Sequence, residues 1–277
     1  MIIMIESGRL GNQIFQYLAL RSCVRMNERI RLFGFDQLNI VFSGVEATFT
    51  PIANNPLRHL QSVGPDQLKR LVRFLPSTGV IVEDLYGNAI IRGNGRLLLA
   101  EPAWFQNSHH LNEPALARMS IRDSWLKRAE ALLGNFGMTS SHTAFVHARA
   151  GDYRVWPSSA HPAILDPRWI SQQADELAQA APGLRFIVIG DEPAYRSQVA
   201  AAIPGAVEVD SGFETEFALM ASCAYGILSA STFAFWGAYF AQRMHHSGRF
   251  IAPKYWAGHR KEVWYPVAIE APFLTYA

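Results

Sequence analysis

Three short segments combine residue types suited to gripping a charged, phosphorylated ligand. In Val146-His147-Ala148-Arg149-Ala150-Gly151-Asp152-Tyr153 an apolar run ends on an arginine. Alternation along a strand puts His147 and Arg149 on one face at its carboxyl end. A guanidinium there is an always-charged fork matched to phosphate oxygens, and Gly151-Asp152 turns the chain straight after it. The same residues also suit an ordinary ion pair between Arg149 and Asp152 beside a Gly-Asp turn. In Ser229-Ala230-Ser231-Thr232-Phe233-Ala234-Phe235-Trp236 a strand gives way to small hydroxyl residues and then to an aromatic-rich helix. Ser231 and Thr232 either cap that helix or present hydroxyl and N–H groups to a diphosphate, with the helix dipole behind them. Phe235, Trp236 and Tyr239 have the spacing of core residues. In Gly8-Arg9-Leu10-Gly11-Asn12-Gln13 two glycines permit close backbone approach, and the helix that follows offers N–H groups to an anion. The plainer reading is a tight connection capped by Asn12.

Two more acids belong with these segments. Asp191, in Gly190-Asp191-Glu192-Pro193, ends an apolar strand, where a carboxylate meets a ribose hydroxyl or starts a helix. Glu216 lies on the helix ahead of the strand that leads to Ser231. A carboxylate can accept from guanine N1–H and the exocyclic amine together, a donor pair adenine lacks; the alternative is an exposed helix acid. Metal chemistry has little to work with. His109-His110 and His245-His246 are adjacent pairs without a nearby cysteine, so four His or Cys ligands at metal spacing are absent.

Strand–helix alternation positions these residues. Ile2–Glu6, a helix to about Asn27 and Ile30–Phe35 form a βαβ unit in miniature. From Asp36 to Asn112 the pattern is weaker, with a helix at Pro65–Leu75 and strands at Val80–Glu83 and Arg96–Ala100. A helix near Ile121–Leu133 closes this half. Beyond the polar stretch 137–141 come strands at Thr143–Arg149, Leu184–Ile189, Val207–Val209, Tyr225–Leu228 and Arg249–Ile251. Helices at Pro167–Ala180, Pro193–Ala202, Glu214–Ala221 and Thr232–Gln242 lie between them. This rhythm predicts α/β architecture with parallel sheets covered on both faces. It predicts two Rossmann-like domains, 1–136 and 137–277, facing across a cleft, with the C-terminal tail free to return to the first. Ligands of such sheets bind at the carboxyl ends of the strands.

Composition agrees with a folded globular chain. Of 277 residues, 49% are hydrophobic, and 25 basic against 23 acidic side chains leave a formal charge of +2, so no dense basic face calls for a nucleic acid. Cys23 and Cys223 each sit in an apolar pattern and read as buried thiols rather than a disulfide. The apolar start stops at Glu6 and no run reaches the ~20 residues of a membrane span. The expectation is a cytoplasmic protein, most simply a bacterial one. The segment Asp66–Leu75 is basic and amphipathic: a surface helix, or a contact with the inner membrane.

Taken in order, these segments resemble glycosyltransferase family 11, the α-1,2-fucosyltransferases. The resemblance runs through Gly8-x-Leu10-Gly11-Asn12-Gln13-x-Phe15-Gln16-Tyr17, Trp104-Phe105-Gln106, His147-x-Arg149-x-Gly151-Asp152-Tyr153, Asp191-x-Pro193, Leu219-Met220-x-x-Cys223, Ser231-x-Phe233-x-x-Trp236-Gly237-Ala238 and Ala252-Pro253-Lys254-x-Trp256. It spans nearly the whole chain. The resemblance implies a GT-B architecture, an inverting mechanism, GDP-fucose as donor, a glycan hydroxyl as acceptor and no required metal. It implies that Arg149 binds the diphosphate and His147 lies beside the guanosine. Glu216 falls where an acid reads guanine, Ser231, Thr232 and Phe233 fall in the donor loop, and Asn12 faces the donor from the first domain. Asp152, beside Arg149, is the expected base or an orienting group. The chain departs from the family at Ala150, where a second arginine is usual, at Ala230, where asparagine is usual, and at Ala234-Phe235-Trp236 in place of Ser-Trp-Trp. Glu192 also replaces an aspartate. These departures keep two alternatives open: another GDP-sugar as donor, or a non-catalytic nucleotide- or glycan-binding module.

Overall fold

The computed structural model describes residues 1–24, 28–51 and 78–277. The expected helix at Pro65–Leu75, with its membrane contact, lies outside the described residues. The chain forms two compact α/β units: Met1–Ile121 with Pro266–Ala268, and Arg122–Tyr265 with Ile269–Ala277.

In the first unit the strands are β1 (Ile2–Ile5), β2 (Ile30–Phe33), β3 (Phe42–Ser43), β4 (Thr48–Thr50), β5 (Thr78–Glu83), β6 (Ala89–Arg92), β7 (Leu97–Ala100) and β8 (Ser120–Ile121). The helices are α1 (Leu10–Ser22), α2 (Asp36–Val41) and α3 (Pro114–Arg118). Six strands make a sheet in the order β4-β2-β1-β7-β5-β6, parallel except for the edge strand β6. Alternation in β1 sends Ile2 and Met4 into the core, each fully buried. Helix α1 starts at Leu10, two residues before the expected cap, so Asn12 lies within its first turn and Arg9 holds the N-cap position. The Gln37 side chain accepts from the Leu10 N–H instead, at 2.6 Å.

Two buried glutamines of α1 explain much of the opening motif. Gln13 donates to the Glu6 carboxylate at 2.6 Å and accepts from Leu38 N–H at 2.9 Å. Gln16 donates to the Ser7 and Ala103 carbonyls at 2.6 and 2.8 Å. Helix α1 thereby ties the loop after β1 to the loop after its neighbour β7. A buried amide that lost these partners would cost about 1–3 kcal/mol.

The second unit begins with α4 (Asp123–Asn135), ahead of the polar stretch where the boundary was expected. Helix α4 packs on α7 (Phe213–Ser222) and so belongs with the second unit. The remaining helices are α5 (Pro167–Ala180), α6 (Pro193–Ala201) and α8 (Thr232–Met244). Pro167 and Pro193 start theirs at the position that needs no N–H. Strands β9 (Thr143–Ala148), β12 (Arg185–Gly190), β13 (Val207–Val209), β14 (Tyr225–Ile227), β15 (Arg249–Ala252) and β16 (Thr275–Tyr276) pair throughout in parallel, in the order β13-β12-β9-β14-β15-β16. A short hairpin, β10 (Pro157–Ser158) with β11 (His161–Pro162), follows β9. Every residue of β9 is buried, as a central parallel strand requires. Beside it, a Cβ on Gly226 would stand 2.4 Å from the Phe145 ring, so only glycine fits there. Both cysteines are free and buried.

Candidate active site

From β9 the chain steps to β12 and β13 on one side of the sheet, then returns to place β14 and β15 on the other. The carboxyl ends of β9 and β14 are therefore a topological switch point, where loops diverge and leave a crevice. Arg149 leaves the end of β9; Ser229, Ala230 and Ser231 leave the end of β14. The two loops are joined. His147 Nδ1 and Ser229 Oγ lie 2.7 Å apart, and the Tyr153 hydroxyl donates to the Ala230 carbonyl at 2.7 Å.

Arg149 is held on three sides. Its guanidinium pairs with Asp191 at 2.8 Å, forms a close ion pair with Asp152, and lies 5.3 Å over the Tyr153 ring. The arginine side chain is 13% exposed, against 60% for Asp152 and 23% for Asp191. Asp191 also accepts from Ala150 N–H at 2.9 Å. Gly151, with φ at +24°, brings the turn so close that a Cβ would meet Asp191 at 2.6 Å. Arg154 and Glu192 form a second close ion pair across the same turn. Asp191, expected at a ribose, thus serves first as a bracket for Arg149 and its turn.

His147 is buried, and loss of water, aided by the Arg149 charge, lowers it to about 3. It is a neutral ring at any ordinary pH. Burial pushes the Tyr153 phenol up, so it stays a hydroxyl. Ser231 is the N-cap residue of α8, with extended backbone and no side-chain cap bond; its side chain meets the Tyr153 hydroxyl. Thr232 opens α8, whose first-turn N–H groups and dipole point positive charge at the switch point. The Phe233 ring lies 5.9 Å from His147 and 5.4 Å from Phe217. Glu216 precedes Phe217 in the first turn of α7, accepts from Ser211 N–H at 3.3 Å, and is raised by burial.

The structure therefore brings His147, Arg149, Asp152, Asp191, Ser231, Thr232 and Phe233 together at the switch point, whereas Glu216, one residue before Phe217, bonds to the Ser211 N–H instead. Asn12 belongs to the first unit, where it accepts from Gln106 at 3.0 Å and joins the loops after β1 and β7. Sequence reasoning missed Tyr153 and Ser229 as parts of the site, although both lie inside motifs it had marked. In the first unit, burial and the Asp36 charge raise the Glu6 carboxyl to about 7. The unusual alanines are core residues: the Ala150 and Ala230 side chains are fully buried. Among the described residues no three His, Cys, Asp or Glu side chains are grouped to hold a metal ion, and no helix is long and apolar enough to cross a membrane.

The fold is of the GT-B glycosyltransferase kind. Solved structures that align with it include the NodZ α-1,6-fucosyltransferase soaked with GDP-fucose, at a TM-score of 0.52 and 13% identity over 86% of this chain and 92% of that one. POFUT1 in complex with GDP-fucose aligns at 0.52 and 12% identity over 91% and 97%. The glycosyl transferase family 11 model matches residues 2–260, and this chain belongs to that family. The galactoside 2-alpha-L-fucosyltransferase Sec1 of Mus musculus is 26% identical over 241 residues, 84% of this chain. The chain spans 62% of the length of that relative.

Proposed function

We propose that this chain transfers L-fucose from GDP-fucose to a sugar hydroxyl, O-2 of a galactoside, with inversion at the anomeric carbon and without a metal ion. The observation that carries the proposal is the Arg149 guanidinium, bracketed by Asp191 at the switch point beside the N-terminus of α8. The family, the name of the mouse relative and the donor bound by the aligned enzymes support fucose and GDP as the groups concerned.

In the reaction the acceptor oxygen forms a bond to the anomeric carbon as the bond to GDP breaks, and the hydroxyl proton is lost. Negative charge grows on the departing diphosphate, and positive charge on a sugar with oxocarbenium character. Arg149 and the first-turn N–H groups of α8 stand ready for the diphosphate charge, fixed before the reaction begins. Neutral His147 and Phe233 supply a flat, uncharged wall beside them. Asp152 spends an oxygen on Arg149, so we assign it to holding the arginine rather than to taking the proton. Glu216 would read the guanine edge.

A second reading, a non-catalytic descendant, was motivated by Ala150 and Ala230. Both methyl groups are packed in the core, and Arg149 keeps its bracket without them. The test is direct: incubate the protein with GDP-fucose or GDP-mannose and a β-galactoside in EDTA, and read the product by NMR. An α-1,2-linked fucoside formed from GDP-fucose alone is the expected result. No transfer, preference for GDP-mannose, a β linkage or an absolute need for added metal would each overturn the corresponding part.

A further inference from the structure

The hairpin β10–β11 and the loop 257–265 after β15 enclose a pocket of about 290 Å³ within the second unit. Among the described residues no carboxylate lines it, while Arg260 and Lys261 do, together with His161 and the Trp264 and Tyr265 rings. The loop is firmly set. Tyr255, Trp256 and Glu262 have φ of +64°, +55° and +55°, a strained conformation for residues with side chains. Trp256 is buried against Phe235, 5.9 Å between ring centres, which holds the strain in place. A Cβ on Gly258 would fall 1.8 Å from the Val263 carbonyl oxygen, so the loop closes tightly on itself. Arg260 staples it to the hairpin through the Pro162 and Ile164 carbonyls at 2.9 and 3.3 Å. Ser158 also lines the pocket, and its buried hydroxyl has no partner among the described residues.

The geometry points to a subsite for an acceptor sugar unit that carries a negative charge, a carboxylate or a phosphate ester. Flat rings beside hydrogen-bonding groups suit a pyranose, and two cations without an opposing acid select an anion. The pocket also adjoins the reaction site: Trp156 lies 5.0 Å from Tyr153, the ring beneath Arg149, and 5.6 Å from Tyr265. Its part in acceptor recognition rests on the transfer reading above, whereas its binding of an anionic sugar is measurable without it.

The test is isothermal titration of the full chain with methyl β-glucuronide, glucose 1-phosphate, methyl β-glucoside and inorganic phosphate, and separately with GDP. At least one anionic sugar should bind about tenfold tighter than the neutral glucoside. Lys261→Glu should lower that affinity about tenfold, and Trp264→Ala likewise, with GDP affinity unchanged. The stronger of the two anionic sugars distinguishes carboxylate from phosphate ester. Because Trp264 also packs on Tyr276, Lys261→Glu is the variant that decides if Trp264→Ala fails to fold. Glucoside binding as tightly as the charged sugars, inorganic phosphate matching glucose 1-phosphate, no binding of either anionic sugar, or an indifferent Lys261→Glu would overturn the proposal. Failure of the wild-type chain to bind GDP would strike the transfer reading instead.

Discussion

Replacing Arg149 separates a binding role from a structural one. Arg149→Ala removes the guanidinium that Asp191 brackets at the switch point. Loss of a single preorganised donor to a developing negative charge costs about 3 kcal/mol of transition-state stabilisation, or roughly a hundredfold in rate. The same change leaves Asp191 without its cation and the Tyr153 ring without the charge above it. Asp191 keeps the Ala150 N–H, so the structural cost is about 1–3 kcal/mol, a few degrees in Tm for a unit of this size. The expected result is a folded protein of slightly lower Tm, with kcat/KM for GDP-fucose down about a hundredfold or more. Arg149→Lys should recover part of the Tm but little of the rate, because an ammonium cannot bridge two carboxylates and a diphosphate as a planar fork does. Steady-state kinetics with calorimetric melting measures both. A folded Arg149→Ala enzyme with near-wild-type kcat/KM would refute the reasoning.

Three further outcomes follow from the same geometry. Asp152→Asn should leave the shape of the pH–rate profile unchanged, because Asp152 holds Arg149 rather than taking the proton; loss of a limb of the profile would make Asp152 the base after all. Glu216→Gln should reduce the preference for GDP over ADP about tenfold by titration, whereas an unchanged ratio removes Glu216 from guanine recognition. For Glu6, burial and Asp36 raise the carboxyl from 4.5 to about 7, so the folded chain keeps a proton that the unfolded chain releases between those values. Stability therefore falls as pH rises through that window. Glu6→Gln, neutral throughout and still able to accept from Gln13, should stabilise the chain by about 1–2 kcal/mol at pH 8, discounted for partial exposure, and by nothing at pH 4; equal melting shifts at both pH values would contradict the sign.

Much of the second unit was legible because local rules agree with one another there. Apolar runs of strand length, prolines opening α5 and α6, and turns rich in glycine set most element bounds within a residue or two. The first unit was harder to read. Its polar residues are spent on tertiary bonds, and Gln13 and Gln16 are buried, bonded to distant residues that no local pattern shows. Asn12 looked like a cap and is instead a bridge to Gln106. The polar stretch 137–141 looked like a boundary, but α4 packs on α7, and packing rather than composition divides the chain.

By itself the sequence determined the periodicities, the charged fork at the end of β9, the hydroxyl turn before α8 and the family they mark. These depend on neighbours along the chain and survive in a one-dimensional reading. Only the tertiary structure decided that β14 lies beside β9, which sets Ser229 against His147, and that Asp191 arrives from β12 to bracket Arg149. It alone closed the pocket between the β10–β11 hairpin and the loop after β15. Strand order and side-chain pairing are long-range choices, made by which surfaces bury together, and no local pattern encodes them.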